Sequence, residues 1–422
     1  MKRAFYPADI LLPRKGTNMS KWSVIACDQF TSMPAYWEQT EQIVGNDPST
    51  LRMILPEVYL DGPQEKDRLE KIRCSMENYL TGNIFAEYKN AMIYLERTDS
   101  SGHVRAGIVG CIDLEEYDYH KGSCSLVRAT EATVEERIPP RIRIRENAKV
   151  ELPHIMILID DRAKTVIEPC EQYKQADQLL YDFDLMQGGG HLTGYLLGET
   201  EQKKVLDALD TLAAHASGMV YAVGDGNHSL ASAKAFYEQL KAANPTKDYT
   251  NHPARYALAE IVNLHSPALE FEAIHRIVYE ADVEKLLSEM TEKLGLLFEK
   301  EKEIVKKDTA TVSENQEMYI VQKGKRTRAI ITRPTSKLTV GSLQNFLDAY
   351  QQNNAIKMDY IHGMETVVAL SEKEDSIGFL LPDMKKEELF PSVMEDGALP
   401  RKTFSMGHAE DKRYYTECRI IQ

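Results

Sequence analysis

Residues 220–233, VYAVGDGNHSLASA, constrain the fold more than any other stretch of the chain. Val220, Tyr221, Ala222 and Val223 are few, β-prone and closed by Gly224, which is how a buried strand reaches its end. Leu230, Ala233, Tyr237 and Leu240 then recur at helical spacing. Between the two runs, Asp225, Gly226, Asn227, His228 and Ser229 crowd an acid, an amide, an imidazole and a hydroxyl onto a strand-to-helix turn. Free N–H groups and the helix dipole favour an anion at such a turn, so the stretch reads as a phosphate or carboxylate cradle. The plain alternative is an N-cap, which Asp, Asn and Ser all suit, although a cap needs only one of them.

Other readings of the turn fail on residue identity. A P-loop needs GxxxxGK[ST], which does not occur. Gly224 and Gly226 match the first two glycines of a dinucleotide fingerprint, but Ser229 takes the place of the third. A nucleophile elbow around Ser229 would need glycines where Asn227 and Ala231 stand. Zinc favours histidines or cysteines paired at i+3 or i+4, and the 11 histidines never fall that way.

A formal net charge of −14 opposes a nucleic-acid partner, which needs a broad basic face. The apolar segment near the start is broken by Pro7, Asp9 and Pro13, no signal peptide follows from it, and no later run reaches the length of a membrane span. The 6 cysteines include no CxxC pair, so reduced thiols in a cytoplasm are the simplest expectation. The oligomeric state, a homodimer included, is left open.

Along the chain, residues 22–27 read as a strand that hands over to Asp28, either a plain turn aspartate or an acid placed where α/β enzymes put chemistry. Residues 91–96 and 104–111 form an expected hairpin. Residues 152–159, LPHIMILI, read as a central strand buried on both faces, with His154 a core histidine. Arg141, Arg143 and Arg145 alternate with Ile142 and Ile144, and a strand would place the three guanidiniums on one face. Either Glu131, Glu135 and Glu136 neutralise them, or one or two of them, or Arg128, contact a phosphate. Residues 172–185 read as polar helix leading to Gly188, Gly189 and Gly190, which form either a connector or a mobile loop that brings His191 to a ligand. The tail mixes Arg401, Lys402, His408, Lys412 and Arg413 with hydroxyls, a second candidate anion contact, and Tyr414, Ile420 and Ile421 imply that it docks.

The run GDGNHSLASA resembles the DGHHR-type signature of a family known as domain of unknown function 1015, whose members span nearly this whole length. The stretches Arg128-Ala129-Thr130-Glu131, Ala273-Ile274-His275-Arg276 and Pro400-Arg401-Lys402-Thr403 carry the same resemblance. More distantly, the signature is similar to the phosphate-binding turn of the ParB and sulfiredoxin superfamily, which includes free-serine kinases that use ADP or ATP. The resemblance implies an α/β (α+β) chain, with a ParB/sulfiredoxin-like core and mixed sheet over residues 1–265 and a second α/β subdomain over 266–422 packing back on it. It also implies a nucleotide phosphate at Gly226, Asn227 and His228, flanked by Gly224 and Ser229, with Asp225 near the reacting hydroxyl. Ser229 stands where those relatives have an arginine, so the missing guanidinium has to be replaced by Lys234 or by an arginine between Arg128 and Arg145. Asp28 is the candidate base by position.

These readings converge on a cytoplasmic α/β enzyme that transfers a phosphoryl group between ATP or ADP and a small hydroxylated metabolite. Asp225 would hold Mg²⁺, Asp225, His228 and Asp28 would form the catalytic set, and Arg128, Arg141 and Arg143 would assist the turn in binding phosphate. Two other classes stay open. One is a nucleotide- or metabolite-sensing protein without turnover. The other is a hydrolase or redox-linked enzyme acting on a small anion, supported only by Cys27 beside Asp28.

Overall fold

A computed structural model describes residues 2–133, 136, 138–153, 155–298, 315–407 and 411–422. His154, Glu135 and His408, singled out above, lie outside the described residues. The chain divides into two compact units, Met1–Leu269 with Gly407–Gln422, and Glu270–Met406. The second unit is therefore an internal span, and the C-terminal tail that was expected within it belongs to the first.

The first unit is built on a mixed sheet whose described strands are β1 (Phe5–Tyr6), β2 (Ile93–Thr98), β3 (Val104–Asp113), β4 (Tyr117–Asp118), β5 (Val127–Ala129), β6 (Met156–Ile159), β7 (Leu179–Asp184), β8 (His191–Leu196), β9 (Tyr221–Asp225) and β10 (Tyr256–Asn263). Their spatial order is β7-β8-β2-β3-β10-β6-β9-β5-β4, with β1 paired to β3. The pairs β6·β10, β5·β9 and β4·β5 are parallel and the others antiparallel, which meets the expectation of an α/β chain with a mixed sheet. The expected hairpin is β2–β3, and of the apolar run 152–159 the second half is the central strand β6, Met156–Ile159, buried at every position. The polar stretch before the glycines is not one helix: after two short 3-10 turns it ends in β7, because Leu179, Tyr181 and Phe183 pair across to β8 and Tyr181 and Phe183 are buried.

Described helices of this unit include α1 (Pro34–Val44), α2 (Glu65–Thr81), α3 (Ile138–Arg145), α4 (Glu199–His215) and α5 (Asn227–Ala243). The helix α3 corrects the strand expected for Arg141, Arg143 and Arg145. Pro139 and Pro140 fit a first helical turn, where the missing N–H has no intrahelical partner to lose. Ile138 and Ile142, four residues apart, then face the core, so the alternation of Arg and Ile is not a period-two pattern. Helical spacing puts Arg141 and Arg145 on one side, where Arg141 pairs with Glu57 and Arg145 with the buried Glu151. Arg143 lies 3.8 Å from Asp61 and 3.5 Å from Glu65. The acids beside Arg141 and Arg143 are thus distant in sequence, whereas Glu151 follows Arg145 by 6 residues.

The tail docks as expected. Tyr414–Tyr415 pairs with Val24–Ile25, and Arg419–Ile420 pairs with Val150–Glu151. The indole of Trp22 donates to the Thr416 carbonyl (2.9 Å), and Tyr414 and Ile421 are buried.

In the second unit a six-stranded sheet runs Leu296–Phe298, Lys325–Ile331, Gln316–Gln322, Ile377–Leu380, His275–Tyr279, Lys357–Ile361. Two of the family-like stretches meet here. Arg276 is fully buried, and its guanidinium donates to the side chain of Gln344 (2.8 Å) and to the carbonyls of Ile274 (2.5 Å), Lys402 (3.0 Å) and Arg401 (3.1 Å). It also lies 4.5 Å from the centre of the Tyr360 ring. The arginine is a clasp that joins Ala273-Ile274-His275-Arg276 to Pro400-Arg401-Lys402-Thr403 and holds Lys402 at a φ of 53°. Arg276→Met leaves four acceptors without this donor in a dry site and should destabilise the chain by about 3 kcal/mol or more. Chemical denaturation of the two proteins measures the loss, and a change below about 1 kcal/mol would contradict the clasp.

Candidate functional site

Strand β9 ends at Asp225, Gly226 turns the chain, and α5 begins at Asn227, as the residue pattern of the stretch required. Gly226 has φ 80° and ψ 27°, the left-handed region, and a Cβ there would sit 3.1 Å from the Cα of Ile155. As N-cap it offers no side chain to the first helical turn. Asn227 donates weakly to the Val223 carbonyl (3.5 Å), and its buried side-chain oxygen has no hydrogen-bond partner among the described residues. His228 offers its carbonyl to the Ser232 hydroxyl (2.7 Å).

The strand β5 runs parallel to β9, with Ala222 opposite Arg128 and Val223 opposite Ala129. Thr130 and Glu131 therefore emerge beside the turn, and Thr130 is fixed by donating to the Val223 carbonyl (2.7 Å). Two family-like stretches are thus brought side by side. Arg128 points elsewhere. Its Nε donates to the Ser125 carbonyl (2.9 Å), and its guanidinium lies toward Gly218, at the opposite end of β9 from Asp225.

The cation at the turn comes from the tail. Lys412 Nζ stands 3.5 Å from Asp225 Oδ2, and both side chains are more than four-fifths buried. Lys234, expected to replace the missing guanidinium, instead donates to the Leu114 carbonyl (2.9 Å) and pairs with Glu238 (2.8 Å). Arg141, Arg143 and Arg145 are engaged by the acids named above. Lys412 was visible only as one of several basic tail residues, because nothing in the sequence says which of them returns to Asp225.

On the other side of the first turn, Ser229 and Ser232 line an apolar cavity of about 140 Å³ together with Cys27, Leu55, Arg141, Arg145, Ile155 and Tyr415. Cys27 and Ser229, far apart in sequence, meet across it. Asp28 follows Cys27 on the loop after Val24–Ile25 and accepts from the Gln29 amide (3.0 Å). The thiol of Cys27 is pushed up to about 12 by burial and then by Asp28, and it accepts from the Tyr415 hydroxyl (3.1 Å). Burial thus favours the thiol over the thiolate that a nucleophile requires.

His191 lies on the β7–β8 hairpin, held by two of its own acids. The glycines make a tight β7–β8 connection, with Leu185 N–H donating to the Gly190 carbonyl (2.8 Å), and His191 bonds to Asp184 (2.7 Å) and Asp182 (2.5 Å) on the hairpin's own face. Among the described residues, no group of three or more His, Cys, Asp or Glu side chains is placed to hold a metal. No helix among the described residues is long and apolar enough to cross a membrane.

A family model described as "Protein of unknown function (DUF1015)" matches residues 11–350. Among curated proteins there is no sequence match. Among solved structures, the chain is similar to a conserved hypothetical protein from Pyrococcus furiosus, with 13% identity over 72% of this chain and 97% of that one and a TM-score of 0.35. It is similar to a free serine kinase in complex with AMP, at 13% identity over 72% and 90% with a TM-score of 0.38. It is also similar to SbnI with a C-terminal truncation, from Staphylococcus aureus, at 8% identity over 71% and 82% with a TM-score of 0.36.

Two expected outcomes follow from this geometry. Gly226→Ala forces an L-residue into the left-handed region and should cost about 1–2 kcal/mol of stability, read by denaturant melting; an unchanged midpoint would contradict it. His191 is raised, first by the Asp184 hydrogen bond and then, against burial, by Asp182. Its stabilisation is complete below the unfolded value of about 6.5 and disappears as the pH climbs through the raised folded value. The Tm gap between wild type and His191→Gln should thus narrow from about pH 5 to about pH 9. A gap that does not change with pH would refute the pairing.

Proposed function

The chain belongs to the family described as Protein of unknown function (DUF1015), and we propose that within it this protein is a small-molecule phosphotransferase using ATP or ADP with Mg²⁺. The observation that carries the reading is the β9–Gly226–α5 turn, where a left-handed glycine opens a helix N-terminus with an acid, Asp225, at its lip and a lysine against that acid. Its likeness to the phosphate-binding turn of nucleotide-using relatives supports the choice of ligand.

In this reading the nucleotide supplies the transferable phosphoryl group. Backbone N–H groups of the first turn of α5, with Asn227, His228 and Ser229, hold its phosphates, and Gly224 and Gly226 leave the approach open. The substrate hydroxyl oxygen attacks the terminal phosphorus, the bond to the bridging oxygen breaks, and the hydroxyl proton passes to a carboxylate. Asp225 is that carboxylate or holds the metal, and Asp28 is the second acid, one residue beyond the cavity wall that Ser229 shares. Catalysis is then alignment and charge neutralisation, which is what phosphoryl transfer asks of a protein.

Isothermal titration of the full chain with ATP and ADP in Mg²⁺ tests the ligand. Saturable binding is expected, and its absence for both would end the reading. Asp225→Asn should lower turnover roughly 10²–10⁴-fold while changing nucleotide affinity only a few-fold. Equal losses in both would make Asp225 a binding residue only.

A further inference from the structure

Strands β2, β3, β10, β6 and β9 share a face on which charge is concentrated and only partly paired. Arg97 on β2 is directly opposite Arg105 on β3, and both are buried, at 2% and 8% exposure. Like charges opposite one another across a strand pair repel, so this arrangement needs a reason. From Arg105 the alternation of β3 leads by Gly107 to Val109, which pairs with Glu260, and Glu260 pairs with Met156, which pairs with Asp225. Arg97, Arg105 and Glu260 therefore lie on one face, while a register shift between Met156 and Ile157 interrupts the alternation before Asp225, which is tied to this group through Lys412.

The cations on this face are unequally satisfied. Arg413 pairs with Glu260 (2.9 Å) and with Glu417 (2.9 Å). Arg97 donates to the carbonyls of Gly189 (2.5 Å) and Lys412 (3.2 Å), and burial followed by Arg105 lowers it to about 10. Arg105 has five donors and makes no hydrogen bond among the described residues. Among the described residues its one acid is Glu260, at 3.5 Å, and the Glu260 oxygen on that side is itself without a hydrogen bond. Lys412 likewise has three donors and, among the described residues, one ion-pair contact, Asp225, at 3.5 Å. The Arg105 Nε is buried without a hydrogen bond among the described residues, which is expensive unless something accepts from the guanidinium, and the partly buried Lys412 has donors to spare beside it.

We propose that Arg105 and Lys412 bind an oxyanion, a carboxylate or a phosphate, and that it belongs to the small molecule phosphorylated beside Asp225. Assignment of the anion to that substrate rests on the phosphotransferase reading, whereas the anion site itself does not. The guanidinium gives a planar pair of donors and the lysine a point charge, a combination that suits both acids. Arg97 acts as a positioning residue, because it holds the Lys412 backbone while standing across from Arg105. Gly107 belongs to the same device. A Cβ there would come within 2.4 Å of the Glu260 carboxylate, so only glycine lets that acid lie beside Arg105.

The test titrates the full chain with inorganic phosphate and, separately, with glycolate at constant ionic strength, for wild type, Arg105→Met, Arg105→Lys and Lys412→Met. Thermal melting reports that each is folded. Wild type should bind one of the two anions saturably, and which one tells a phosphorylated from a carboxylated substrate. Arg105→Met and Lys412→Met should each weaken it roughly tenfold or more, with Arg105→Lys between. No saturable binding of either anion by wild type, or equal affinity in the Met variants, would overturn the site. If Arg105→Met does not fold, undiminished affinity in Arg105→Lys together with Lys412→Met overturns it equally. Anion binding that depends on Arg105 in a protein that binds no nucleotide would sink the phosphotransferase reading and leave the site standing.

Discussion

Glu260 and Arg413 form the interaction on which the first unit depends. The acid is 1% exposed in the middle of the sheet, and its partner, 6% exposed, arrives from the tail. Removing a carboxylate and a guanidinium from water costs several kcal/mol each, and close geometry with further hydrogen bonds has to offset it. Those bonds are present: Arg413 also reaches Glu417, and Glu417 accepts from the Tyr181 hydroxyl (2.5 Å). A sheet that held Glu260 without Arg413 would leave the buried acid with only the longer contact to Arg105, at 3.5 Å. The first unit is therefore complete only after the chain has passed through residues 270–406 and come back. The pairing of Tyr414–Tyr415 with Val24–Ile25, and of Arg419 with Glu151, follows from the same return.

That dependence explains what could be read from the sequence and what could not. The β9 to α5 turn was legible because local chemistry dictates it: a short β-prone run, a glycine where φ must be positive, then apolar residues at helical spacing. The β2–β3 hairpin and the buried β6 were legible for the same reason. Arg141, Arg143 and Arg145 misled, because alternation over five residues fits a strand, while two prolines and the burial of Ile138 with Ile142 decided for a helix. Their acids, Glu57 and Glu151 among them, follow no sequence pattern. Arg105 looked like an ordinary strand residue in a hairpin and went unremarked. Its meaning appears only when register places it opposite Arg97 and beside Glu260. Lys412 stood in a basic tail whose docking was foreseen but whose target was not.

The position of the charges also reconciles a strongly acidic chain with an anionic ligand. At a net charge of −14 the long-range field repels polyanions, and screening at physiological salt confines it to within roughly 8 Å of the surface. Cations that lie inside the sheet face are felt differently. Around Arg97, Arg105, Lys412 and Arg413 the medium is protein rather than water, so a single oxyanion brought within contact gains far more from each charge than it would at the surface. Such a site discriminates by size. A small metabolite can bring one or two oxygens into it, whereas a nucleic acid would have to carry many phosphates across an acidic exterior to reach the same few donors. The left-handed Gly226 and the open helix start add directed N–H groups without adding net charge. A protein arranged in this way would recognise an anion by the local arrangement of donors, and the sign of the whole molecule then works against larger competitors.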